Sequence, residues 1–134
     1  MRSVSVLGLA GLMLFAHEAS AQTADPIVNE RPLSAWIAEL KAPAPLTRNA
    51  AAYTIGGLGP AASPAVPALI EALNDPVDAV RYPVCVALRE IGPGAVAAVP
   101  ALTVMLDDRN DDVASMARKA IKAITGTDPR PPEE

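Results

Sequence analysis

The chain has 134 residues, a formal net charge of -4 and an aromatic content of 3%. That length holds one small domain, and mild acidity speaks against nucleic-acid binding, which needs clustered Lys and Arg. The single cysteine, Cys85 in "VCVAL", rules out an intrachain disulfide and reads as a small buried hydrophobe rather than a reactive thiol. With so few aromatics, the core has to be built from Ala, Val, Leu and Ile.

In chain order, the first expectation is a secretory signal over residues 1–21. Arg2 supplies the positive start, Val4 to Phe15 is an apolar run of 12 residues, and Ala19-Ser20-Ala21 places small residues where a signal peptidase reads. The run is too short to span a bilayer. No cysteine adjoins the cleavage site, so a lipoprotein anchor is not expected. Cleavage before Gln22 leaves 113 residues, still at net charge -4, exported to the periplasm or beyond with no stable membrane insertion.

Residues 22–31 read as an extended segment. The next stretch repeats itself. "GPAASPAVPALIEALND" from Gly59 and "GPGAVAAVPALTVMLDD" from Gly92 start 33 residues apart and agree at 10 of 17 positions. At the same offset Leu33, Val66 and Val99 align, as do Trp36, Leu69 and Leu102, and Leu40, Leu73 and Leu106. A second register holds Thr47, Val80 and Val113; Ala51, Val84 and Ala117; Ile55, Leu88 and Ile121; and Leu58, Ile91 and Ile124. Steps of three and four within each register are the period of an amphipathic helix.

The pattern predicts six helices, near 32–41, 46–58, 64–74, 77–91, 96–106 and 111–125. Pro67 and Pro100 fall at helix entrances, where the missing N–H has no intrahelical partner to lose. Gly59 and Gly92 end the preceding helices, where a left-handed backbone suits glycine. Pro83 sits deeper and predicts a kink or a delayed helix start. Arg118, Lys119 and Lys122 suit the end of a helix whose dipole they complement. The Pro-rich tail, 127–134, cannot be helical and is expected to be disordered. One helix pair cannot bury its own apolar stripe, so stacked copies share a core over residues 32–126. The fold class is all-α: a short αα superhelix of about six helices.

The segment "GPAASPAVPALIEALNDPVDAVRYPVCVALREIGP" resembles the HEAT-like repeat of the phycobilin-lyase type. The resemblance implies a right-handed stack of antiparallel helix pairs. It also implies a structural ladder in which a turn Asp pairs with an Arg that opens the next helix. Asp75 and Asp108 match that Asp, and Arg48 and Arg81 match the Arg. The third Arg position holds Ala114, so the ladder is broken at the C-terminal end. Two enzyme families share this repeat. Phycobilin lyases use longer arrays, and no chromophore pocket is marked here. Deoxyhypusine hydroxylases hold two irons with His-Glu pairs, whereas the one such pair here, His17-Glu18, lies in the signal segment.

Past residue 21 there is no histidine. No Cys/His metal cluster and no Ser-His or Cys-His nucleophile pair can be assembled. "GGLG" reads as a helix end rather than a phosphate cradle. "DDRNDD" at 107–112 lacks the spacing of a calcium loop and reads as a helix-capping acidic turn. No catalytic residue, metal or cofactor is therefore expected.

The functional expectation is an exported, non-catalytic interaction or scaffold module that binds an unidentified protein or peptide and no nucleic acid. The alternative is an accessory to an enzyme or cofactor system. End-to-end stacking into a homo-oligomer stays open. If Val99, Leu102 and Leu106 face the core, then Ala101, Val104 and Met105 face away. The same offsets give Glu71 and Ala72 on the third helix and Glu39 on the first. The resemblance implies that these first helices of each pair line the concave side. Val104 and Met105 then either pack on the C-terminal helix or tail, or form the apolar anchor of a partner site with Glu39 and Glu71 as its polar rim.

Overall fold

Three long helices lie side by side: α2 (Pro45–Gly57), α4 (Asp78–Ile91) and α6 (Asp111–Thr125). Three short ones form the second layer: α1 (Leu33–Glu39), α3 (Val66–Ala72) and α5 (Val99–Met105). The computed structural model describes residues 24–130. The predicted signal segment and residues 131–134 lie outside the described residues. The helical registers meet between the layers, where Leu33, Ile55, Leu69, Leu73, Leu88 and Leu102 are buried and Trp36, Leu58, Val99 and Leu106 pack against them. This is the all-α stack of helix pairs that the 33-residue repeat predicts.

The connections carry more structure than the sequence reading assigned. Gly59–Ala65 and Gly92–Ala98 are 3-10 helices, and α3 and α5 begin only at Val66 and Val99. Gly59 and Gly92 have φ of 59° and 72°, so the left-handed turn falls where glycine tolerates it. Pro67 and Pro100 stand in the first turn of their α-helices, as expected. Asp78–Met105 is long and apolar enough to cross a membrane on composition alone. It is broken at Gly92, however, and its buried residues are those of the shared core.

Pro83 neither delays nor interrupts its helix. α4 starts at Asp78 and runs unbroken to Ile91 with Pro83 inside it. A proline there removes the N–H that would bond the carbonyl four residues back. That carbonyl belongs to Ala79, and it accepts a hydrogen bond of 2.6 Å from the Asn49 side-chain amide of α2. A neighbouring helix supplies the donor that the proline lacks.

Both ends of the stack carry further ordered segments. Strands β1 (Ile27–Val28) and β2 (Arg31–Pro32) form a hairpin, turned by Asn29 and Glu30 at φ of 49° and 64°. The hairpin covers Trp36, whose indole N–H donates to the Val28 carbonyl at 3.0 Å, while the Arg31 guanidinium lies 4.3 Å from the ring centroid. Asp25 accepts from the Ser34 N–H and so caps α1.

At the other end, Thr127–Arg130 is tied down rather than disordered. Arg118 donates two bonds to Asp128, at 2.7 and 2.6 Å, and Arg130 donates to the Leu106 carbonyl at 2.7 Å. The Arg118 guanidinium, with help from the Arg130 backbone N–H, holds the Asp128 carboxyl down to about 2. Arg118 occupies the register position of Ala52 and Cys85. Those two are buried, whereas Arg118 carries a cation that holds Asp128 at the same position.

Candidate functional site

The ladder forms as the resemblance implies. Arg48 holds Asp75 through two bonds of 2.7 and 3.1 Å, and Arg81 holds Asp108 through two of 2.9 and 3.1 Å. Each fork crosses from one repeat to the next. Arg81 also donates to the Asp75 carbonyl at 2.9 Å, which joins the two rungs. Burial pushes both carboxyls up. The guanidinium bonds, a backbone N–H (Val77 or Asn110) and nearby positive charge outweigh that burial and hold both below 3.8. The geometry is that of a fastener between repeats. No rung continues beyond these two, because Ala42 stands one repeat before Asp75 and Ala114 one repeat after Arg81.

The surface chosen on the short helices does not assemble into one site. Glu39 is engaged by Arg31 at 2.9 Å, and Glu71 by Lys41 at 3.1 Å. Ala72 and Ala101 are half-buried against the core. Met105 also packs against the core, in a crevice with Leu73, Asp75 and Arg81. Val104 is the exposed apolar residue of the set, at 68%. Met105 therefore packs against the neighbouring repeat rather than the tail. The reason is the shortness of these helices: their seven residues spend most positions on the core and the turns.

A cavity lies on the other layer. It is an open groove of about 440 Å³ across α2, α4 and α6, lined by Asn49, Tyr53, Asp78, Ala79, Tyr82, Asn110 and Asp112. Both of the chain's two tyrosines line it. They point there because each falls outside its helix's apolar register: Tyr53 between Ala51 and Ile55, Tyr82 between Val80 and Val84. The amides fix the walls. Asn49 bonds the Ala79 carbonyl, and Asn110 donates to Asp78 at 2.8 Å while its own oxygen caps α6 by accepting from Asp112 and Val113. Sequence reasoning passed over this groove. The available signal was two tyrosines outside the apolar registers of an aromatic-poor chain.

The acidic turn performs the capping read from "DDRNDD", with Asn110 as the cap itself and Asp111 and Asp112 in the first turn of α6. Among the described residues no group of three His, Cys, Asp or Glu is arranged to hold a metal ion. Cys85 is fully buried, and burial pushes its thiol up to about 12. Its sulfur is thus neither reachable nor ionised near neutral pH.

Comparison with curated proteins yields no match. A family model for HEAT repeats matches residues 33–122, from the first residue of α1 to the last turn of α6. HEAT repeats commonly mediate protein–protein interaction. With the 33-residue register, the paired helices and the Arg–Asp ladder in place, this chain belongs to the HEAT-repeat family.

Proposed function

We propose that this chain is an exported, non-catalytic interaction module that docks a protein or peptide on the groove across α2, α4 and α6. The observation that carries the reading is the groove itself. It spans all three repeats, is fixed by side-chain hydrogen bonds, and exposes Tyr53 beside polar groups. Rigid walls with an exposed Tyr53 suit recognition, since Tyr gives large contact area at small entropic cost. The non-catalytic part of the reading draws on the lack of histidine after residue 21 and on the inert Cys85.

Export rests on Arg2, the apolar run and Ala19-Ser20-Ala21. Mass spectrometry of the natural protein tests it: a mature chain beginning at Gln22 supports it, and a soluble species retaining Met1 contradicts it. Photo-crosslinking from position 53 in living cells tests the docking surface. A discrete adduct from 53 but not from 104 supports the groove, and the reverse pattern moves the site to the short-helix layer. The phycobilin-lyase-type subclass draws on the "GPAASPAVPAL" cadence, and with it the second reading, an accessory to a cofactor system. Colour or bound tetrapyrrole in the purified protein would favour that second reading.

A further inference from the structure

Resting on the interaction-module reading, we infer that the groove receives an arginine or lysine side chain carried on an extended segment of the partner protein. The charged groups that line it are both carboxylates, Asp78 and Asp112, and no Lys or Arg lines it. The nearest cation on α6 in sequence, Arg118, stands six residues beyond Asp112 and donates to Asp128.

The capacity left unused in the groove is mostly that of acceptors. Asp112 has no side-chain partner among the described residues, one oxygen of Asp78 is uncommitted, and the side-chain oxygen of Asn49 accepts nothing. A ligand that satisfies these groups must donate and carry positive charge, which excludes phosphates and acidic peptides.

Acidic residues in the first turns of α4 and α6 have a simpler account, because helix dipoles favour them there. Tyr82 packs against the core, but neither packing nor the dipoles explain Tyr53. Tyr53 is 46% exposed, and neither phenol hydroxyl has a partner among the described residues. The exposed ring of Tyr53 beside two carboxylates attracts a flat guanidinium or an ammonium through the ring quadrupole as well as through charge. The groove is open to water and crosses three helices. A small free cation would keep its hydration there, whereas a segment adds backbone contact along the groove and excludes water.

Fluorescence anisotropy with the full chain tests this. The probes are a labelled octapeptide of alternating serine and arginine, its citrulline counterpart of the same shape without charge, and its glutamate counterpart. The arginine peptide is expected to bind and to weaken as salt rises, the citrulline peptide to bind about tenfold less tightly, and the glutamate peptide not at all. Tyr53→Leu combined with Asp112→Asn is expected to weaken the arginine peptide by about tenfold while the circular-dichroism melt stays near wild type. Equal binding of the citrulline peptide, indifference to the double variant, arginine amide competing as well as the peptide, or no saturation by about 1 mM would each overturn the inference. A partner crosslinked to the chain without any arginine-peptide binding overturns this inference and leaves the module reading standing. Loss of both removes both.

Discussion

Asn49 donates its side-chain amide to the Ala79 carbonyl at 2.6 Å, and Ala79 lies four residues before Pro83 in α4. The bond joins α2 to α4 at the point where the proline leaves an acceptor without its helical donor. It lets a proline sit inside a 14-residue helix, and it fixes one wall of the groove. Asn49→Ala should cost about 0.5–1.5 kcal/mol, the net worth of one hydrogen bond. In a Pro83→Ala background the carbonyl regains a helical N–H, and the same change should cost nearly nothing. A double-mutant cycle by urea denaturation measures the coupling, and additive costs would refute the assignment.

Gly56 and Gly57 are adjacent and should respond in opposite directions. A Cβ on Gly56 would lie 3.0 Å from the Ala87 Cα, a backbone atom of α4 that cannot step aside. Gly57 has open space at the same point. Alanine is favoured over glycine in a helix by about 1 kcal/mol, so Gly57→Ala should gain up to that amount. Gly56→Ala should lose stability despite the same gain, because it forces α2 and α4 apart. Thermal melts of the two variants decide it.

The ladder should make the fold acid-sensitive. Asp75 and Asp108 titrate below 3.8 in the folded chain. Their contribution is present in full above that ordinary value and is lost as pH falls through the lower folded values. Asp108→Asn leaves Arg81 with a weakened partner and should cost about 2 kcal/mol near neutral pH. The variant's melting temperature should then fall less steeply than that of the wild type as pH drops below about 4. Parallel pH profiles would show that the ladder does not carry the dependence.

The helices and their core were legible because burial imposes a period. Every aligned register of Leu, Ile, Val and Ala reappears in the shared core or packed against it. The ladder was legible only through family resemblance, since nothing in an isolated Arg48 or Asp75 reveals a partner 27 residues away. The terminal caps were not legible. An Asn-Glu turn lacks the glycine that announces a tight hairpin. A tail rich in proline rules out helix without ruling out a fixed path, and here Asp128 and Arg130 fix one. The groove was missed because it arises where three helices meet, and no single helix shows it. Val104 and Met105 drew attention as adjacent apolar residues, but neighbours on a helix face different ways.

Leu69 and Leu102 hold equivalent positions one repeat apart, and both are fully buried. Leu→Ala at such a site typically costs about 2–5 kcal/mol. Each substitution should lower the melting temperature strongly, whereas Val104→Ala, at an exposed site, should leave it within error of wild type. Equal melts for all three would mean that the repeat register does not describe the core.

Docking on the tyrosine-lined groove of the long-helix layer, as proposed, is open to direct measurement. Amide chemical-shift mapping tests it most directly, by titrating the serine–arginine octapeptide into isotope-labelled protein. The account predicts saturable shifts concentrated at Asn49, Tyr53, Asp78, Tyr82 and Asp112, with Glu71, Val104 and Met105 unmoved. Shifts centred on α3 and α5, or none that saturate, would contradict it.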